Sequence, residues 1–127
     1  MKSTGGSIQE YAVLKRCFVL GLMVFSAVVV ADPVGSVGEA SLRSLGETNG
    51  VALACRYLEQ TRRIKAAVVE SVPKERRYGL VFDQATNEGY LGFVQAQRPC
   101  PMPVGFMELV NQKIVALDQA FAAQSAE

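Results

Sequence analysis

Histidine and tryptophan are both absent from this chain of 127 residues. Without histidine, no imidazole is present to act as a general base near neutral pH, so histidine-based catalytic triads and histidine-containing zinc sites are excluded. Without tryptophan, the strongest aromatic platform for sugars and cations is missing. These absences argue against an enzyme, and we expect neither a metal ion nor a cofactor.

Acidic residues paired for glycan hydrolysis are also lacking. Such catalysis needs two carboxyl groups that face each other across a cleft. Asp83 and Glu88 are five residues apart and would point in different directions on a helix. Nothing in the pattern organises a cleft around them, which again favours a protein without catalytic activity.

No excess of charge of either sign is present, because 13 basic residues face 12 acidic ones. Without the first 31 residues, ten basic and eleven acidic residues remain. A general nucleic-acid-binding domain is normally strongly basic. We therefore expect no nucleic-acid partner.

Only one long hydrophobic run occurs, over residues 17–30, and it is 14 residues long. Lys15 and Arg16 precede it, and Val29-Val30-Ala31 ends it with the small residues that a signal peptidase accepts. An uncleaved membrane anchor is the alternative, but a spanning helix needs roughly 20 apolar residues. We predict a cleavable signal peptide over residues 1–31 and a periplasmic mature protein that does not span the membrane.

The mature chain divides into three parts by composition. Residues 32–37 are rich in glycine, proline and serine and predict a flexible lead-in. Residues 38–122 carry apolar residues at steps of three and four, which predicts a helical domain. Residues 123–127 are mostly polar and predict a frayed tail.

Four helical segments are predicted within that domain. The first covers residues 38–58, and Asn49-Gly50 leaves open whether it is one helix or two, because this dipeptide usually marks a turn. The others cover residues 59–72, 74–97 and 103–121, and prolines separate them. Short connections between amphipathic helices predict an all-α fold, a small antiparallel bundle of about four helices.

Aromatic residues and glycines share one face of the third segment. Tyr78, Phe82 and Phe93 lie on it, and with Phe106 of the last segment they form a candidate apolar pocket. Gly89 falls on the same face, and we expect such glycines to permit close helix packing more readily than to mark a ligand site. A pocket between helices would suit a small apolar ligand.

Two cysteines remain in the mature chain, Cys55 and Cys100. An even number of cysteines in a small exported domain predicts a disulfide. Redox centres favour closely spaced Cys-x-x-Cys pairs, whereas these cysteines are 45 residues apart. We therefore predict one structural disulfide between them.

Charges are segregated along the mature chain. Residues 56–77 contain seven basic and three acidic residues, and residues 78–127 contain two basic and five acidic ones. This asymmetry favours either a solvated helical surface with ion pairs such as Glu59 with Arg63, or attraction of an acidic partner. The candidate partner surface consists of Arg62, Arg63, Arg76, Arg77 and Tyr90. A helical hairpin around Pro73 would bring the four arginines to one end of the bundle. Self-association is also open.

Two stretches carry a resemblance to known proteins. LGETNGVALACRYL and VPKERRYGLVFDQATNEGYLGFV, followed by Cys100-Pro101, resemble a group of small exported helical proteins of proteobacteria. This resemblance implies an exported helical protein with paired cysteines. Gly89-Tyr90-Leu91-Gly92 and the Cys-Pro before the last helix are also similar to periplasmic immunity proteins that neutralise type VI secretion amidases.

These observations favour a non-enzymatic periplasmic protein that binds another protein as an accessory or assembly factor. The second hypothesis is an immunity protein that neutralises a periplasmic toxin. The third is a carrier of a small apolar ligand.

Overall fold

The structure, a computed structural model, describes residues 35–126. These residues form four helices: α1 (Gly35–Ala54), α2 (Leu58–Ser71), α3 (Arg76–Gln95) and α4 (Pro103–Ser125). No strand occurs within this range. The predicted all-α fold is confirmed, while the predicted signal peptide over residues 1–31 lies outside the described residues.

Several helix boundaries differ from the predicted segments: α1 ends at Ala54 rather than at residue 58, and α3 covers Arg76–Gln95 rather than residues 74–97. The first helix is continuous through Asn49-Gly50, so the choice between one helix and two is settled in favour of one. It begins at Gly35, inside the predicted lead-in, and the last helix continues to Ser125, inside the predicted tail. Residues 35–37 and 123–125 are therefore helical. Each of these segments extends a helix whose neighbouring turns are already packed in the core.

Proline and backbone geometry separate the helices. Val72 is extended (φ −93°, ψ 134°), because Pro73 disfavours helical geometry in the residue before it. Pro103 is the first residue of α4, where its missing N–H costs no helical hydrogen bond. The end of α1 is closed by two backbone bonds, from Tyr57 N–H to the Ala52 carbonyl and from Arg56 N–H to the Leu53 carbonyl.

Successive helices alternate in direction, as expected for an antiparallel bundle. Helix α4 runs antiparallel to α1, since Lys113 Nζ lies 2.7 Å from Ser44 Oγ while Phe121, farther along α4, lies beside Gly38. Helix α2 runs parallel to α4, because Arg63 bonds to Asn111 and Ser71 bonds to Asp118. The backbone of α1 lies close to that of all three other helices, whereas the backbone of α3 approaches neither α2 nor α4 closely.

Helices α1 and α3 run parallel and approach each other through glycines. A Cβ at Gly50 would lie 2.3 Å from the Tyr90 backbone nitrogen, and one at Gly89 would lie 2.4 Å from the Glu47 carbonyl oxygen. Asn49 is buried beside this contact (1% exposed) and donates from Nδ2 to Thr86 Oγ1 at 3.3 Å. Backbone packs directly on backbone here, which explains why the helix continues through the Asn-Gly pair.

The core is formed by the apolar stripes that the sequence predicts. Its largest members from the four helices are Leu42, Leu45, Ile64, Tyr78, Phe82, Phe106, Val110, Leu117 and Phe121. Tyr78 and Phe121 meet edge to face at the end remote from the cysteines, with ring centroids 5.3 Å apart. This pair joins α3 to α4 at that end.

Candidate functional site

Cys55 and Cys100 form a disulfide at one end of the bundle, as predicted. Their Cα atoms are 5.7 Å apart, within the usual range for a disulfide. Cys55 directly follows α1, and Cys100 lies in the connection between α3 and α4. The bond therefore fixes this connection to the end of α1, and we call this half of the bundle the disulfide end.

Tyr57 holds the same connection at a second point. Its hydroxyl donates to the Pro101 carbonyl oxygen at 2.5 Å, and its ring packs against Phe106 with centroids 5.3 Å apart. Pro99 and Pro101 restrict the backbone on both sides of Cys100. The connection is consequently held by a covalent bond, a hydrogen bond and a ring contact.

A cavity of about 250 Å³ opens beneath this connection, and we call it the disulfide-end pocket. Its lining comes from α1, the end of α3, the connection and the start of α4. The lining residues are Thr48, Val51, Phe93, Arg98, Pro99, Pro101, Phe106 and Leu109. The lining is therefore mostly apolar, with one cation, and the Arg98 guanidinium carbon lies 5.6 Å from the centroid of the Phe93 ring.

The four aromatic residues predicted to line one pocket are all buried but lie in two places. Phe93 and Phe106 line the disulfide-end pocket. Tyr78 and Phe82 belong to the core instead, and Tyr78 packs on Phe121 at the opposite end. Tyr78 and Phe93 are 15 residues apart on one straight helix, which separates them by about 22 Å. The structure therefore brings two of the four predicted residues, Phe93 and Phe106, together at one pocket and places Tyr78 and Phe82 elsewhere in the core.

The predicted basic surface is also divided by the fold. Arg62 and Arg63 lie near the start of α2, whereas Arg76 and Arg77 begin α3 at the other end of the bundle. Arg62 lies nine residues before Ser71, the end of α2, which is a distance of about 14 Å along the helix. Because α2 and α3 run in opposite directions and their backbones do not approach closely, the two pairs of arginines lie apart.

Contacts within the protein engage three of these four arginines. Arg62 pairs with Glu59 at 3.6 Å, where the sequence favoured a Glu59–Arg63 pair. Arg63 instead donates to Gln60 and to Asn111 of α4. Arg77 pairs with Glu75 at 2.9 Å and lies over the Tyr78 ring at 4.4 Å. Only Arg76 of the four is exposed with no such contact among the residues described.

Exposed apolar side chains concentrate at the disulfide end. Of thirteen large hydrophobic residues exposed within residues 35–126, nine lie there. They are Leu53, Leu58, Tyr90, Leu91, Val94, Met102, Val104, Met107 and Leu109. The most exposed are Met102 (79%) and Val104 (75%), on either side of Pro103. The predicted contact residue Tyr90 belongs to this set, and an apolar concentration of this kind is typical of interaction surfaces.

Two other depressions lie elsewhere on the bundle. One, of about 320 Å³, lies between α2 and α4 and includes Asp118 and Glu70. The other, of about 600 Å³, lies along α1 and α4 and is lined by small residues and Lys113. Both are larger than the disulfide-end pocket. The first has one aromatic residue in its lining and the second has none, and both lie away from most of the exposed apolar residues. The disulfide-end pocket is therefore the candidate site.

Sequence reasoning missed several residues of this site, chiefly Arg98, Val51 and Leu109. One signal was available in the segment 98–103, RPCPMP, whose prolines predict a rigid connection around Cys100. Met102 and Val104 lie outside the apolar stripe of α4, which would have marked them as exposed. The lining residues from α1 carry no such signal, because they meet the connection only in the folded chain.

The structure defines a disulfide-linked four-helix bundle with an apolar pocket at one end. Comparison with models of protein families, with curated proteins and with solved structures gives no match to this chain. Within residues 35–126, no helix combines the length and hydropathy needed to cross a membrane. The same residues contain no group of three or more acidic or cysteine side chains arranged to hold a metal ion.

Proposed function

We propose that this protein is a non-enzymatic periplasmic accessory or assembly factor that binds another protein through its disulfide end. The observation that carries the proposal is the concentration of exposed apolar side chains at the disulfide end, the half of the bundle that also contains the pocket. Protein interfaces combine apolar anchors with a polar rim, and a few buried anchors supply most of the binding energy. The disulfide end, where a mostly apolar pocket and exposed methionine, valine and leucine side chains lie in the same half of the bundle, has this composition.

The size of the pocket supports a protein partner over a carried small molecule. Ligand pockets usually have volumes of about 300–1,000 Å³, and a cavity of roughly 150 Å³ already holds a benzene ring. The disulfide-end pocket, at about 250 Å³, matches one aliphatic or aromatic side chain. An immunity protein would be one form of such a binding protein, and a toxin gene adjacent to this gene would identify it.

The proposed compartment is supported by the disulfide and by the signal-peptide pattern. Disulfides persist in oxidising compartments such as the periplasm and are rare in the cytosol. We expect the mature protein to begin at Asp32, and N-terminal sequencing of protein from a periplasmic extract measures this. Recovery of the full-length chain from the inner membrane would contradict the proposed export and cleavage.

Charge introduced at the disulfide end tests the proposed binding surface. In the double variant Met102→Glu, Val104→Glu, two exposed apolar side chains become charged, so capture of the periplasmic partner should fall at least tenfold. The matched control is Val69→Glu, Leu80→Glu, which charges two similarly exposed residues at the opposite end. The partner captured by the unchanged protein is identified first, and its affinity for each variant is then measured.

The control variant should bind the partner as well as the unchanged protein does. Equal loss in both double variants, or loss only in the control, would contradict the proposal. Circular dichroism of both variants checks that the helices remain, since all four residues are exposed and outside the core.

A further inference from the structure

Arg98 is an exposed cation at the edge of the disulfide-end pocket. Its side chain lines the pocket, and its guanidinium lies over the Phe93 ring. It forms no ion pair with any residue that the structure describes. Stacking on an aromatic ring orients a guanidinium while leaving its N–H groups available to an acceptor.

The part of the chain that carries Arg98 is held in place. The disulfide at Cys100 and the bond from the Tyr57 hydroxyl to the Pro101 carbonyl fix the connection two and three residues beyond Arg98. A binding site that is already ordered loses less conformational entropy when its partner arrives. The pocket and its cation thus form one preorganised site.

We propose that the disulfide-end pocket binds an apolar side chain of a partner protein together with an acidic side chain next to it. The apolar side chain occupies the cavity between Val51, Phe106 and Leu109, and the carboxylate pairs with Arg98. The volume of about 250 Å³ suits one such side chain, and the single cation of the lining is complementary to an anionic neighbour. This inference rests on the proposed function, because it names the chemistry of the partner at the same surface.

Two short peptides that differ in one group test the charge requirement. The probes are acetyl-Gly-Leu-Glu-Gly-amide and acetyl-Gly-Leu-Gln-Gly-amide. Their binding is measured from changes in the amide chemical shifts of residues 35–126. We expect both to shift Thr48, Val51 and Leu109, with the Leu-Glu peptide binding about threefold to fivefold more tightly, as for a partly exposed ion pair. Arg98→Gln should remove this difference, because the two peptides then meet the same uncharged group.

Arg62→Gln is the matched control, because Arg62 is an exposed arginine in the same half of the bundle but outside the pocket. It should retain the preference for the Leu-Glu peptide. Equal affinity of the two peptides, or a preference that survives Arg98→Gln, would overturn carboxylate recognition while leaving the apolar binding surface intact. Absence of shifts at the pocket with either peptide up to about 10 mM would overturn the pocket as a peptide site.

A second copy of this chain is the alternative occupant. Sedimentation of the unchanged protein should show a monomer over the concentrations used for the peptides. A dimer that Met102→Glu dissociates would identify a second copy as the occupant and overturn the proposal of a separate partner.

Discussion

Arg56 holds a backbone conformation that non-glycine residues rarely adopt. Its φ is 58°, in the left-handed region, and it is the residue at which the chain leaves α1. In this region Cβ approaches the carbonyl oxygen, which costs roughly 1–2 kcal/mol for a residue other than glycine. The adjacent disulfide and the two bonds that close α1 hold the residue there.

Replacing Arg56 with glycine should therefore stabilise the protein. We expect Arg56→Gly to raise the free energy of unfolding by about 0.5–1 kcal/mol, because the relief of strain outweighs the greater freedom of glycine in the unfolded chain. Urea unfolding measures the change. Arg56→Ala is the control: it keeps Cβ and should leave stability unchanged, and a larger gain from alanine than from glycine would refute the explanation.

At the scale of helices, the close approach of α1 and α3 requires glycine at some positions of α3 but not at others. Gly89 lies against the Glu47 backbone, whereas a Cβ at Gly79 or Gly92 would meet no described atom within 4 Å apart from its chain neighbours and the adjacent backbone of its own helix. The prediction that face glycines permit close packing is therefore confirmed at Gly89. Gly92 lies on the same helix at an exposed position, which makes it an internal reference.

Alanine at the two glycines should change stability in opposite directions. Gly89→Ala places Cβ against backbone atoms that cannot rotate away, so we expect a loss of about 1–3 kcal/mol or more in the free energy of unfolding. Gly92→Ala should instead add about 0.5–1 kcal/mol, because alanine favours the helix and meets nothing. Both values come from urea unfolding followed by circular dichroism. Similar effects of the two substitutions would contradict direct backbone packing of α1 on α3.

For the molecule as a whole, the disulfide closes a loop that contains α2 and α3. Its sequence separation of 45 residues predicts a stabilisation of about 4 kcal/mol through the entropy of the unfolded chain. The total stability of a small domain is about 5–15 kcal/mol. The bond is therefore a large part of what keeps this bundle folded.

Removing either cysteine should cost most of that stabilisation. We expect Cys55→Ser and Cys100→Ser each to lower the free energy of unfolding by about 2–4 kcal/mol, and the double variant to be no worse than either single one. The effects do not add because both substitutions remove the same constraint. Urea unfolding measures all three variants, and two free thiols in the unfolded, unreduced protein would falsify the disulfide itself.

The apolar stripes of the four helices, and hence the core, were predictable from sequence because helical periodicity is a local property. Ile64, Phe82, Val110 and Leu117 occupy the predicted faces and are buried. The cysteine pairing was predictable for a different reason, since only two of the three cysteines lie outside the predicted signal peptide and two cysteines allow one intramolecular bond. Both inferences need no knowledge of which helices are neighbours.

Neighbour relations between helices arise only in the folded chain. The contact of Gly50 and Gly89 places α3 on α1, and this arrangement leaves α2 and α3 apart and divides the basic residues Arg62 and Arg76 between opposite ends. The same packing brings Val51, Arg98 and Leu109 to one pocket from three parts of the chain. Periodicity specifies the buried face of each helix, whereas backbone contact at a few small residues selects the helix against which that face packs.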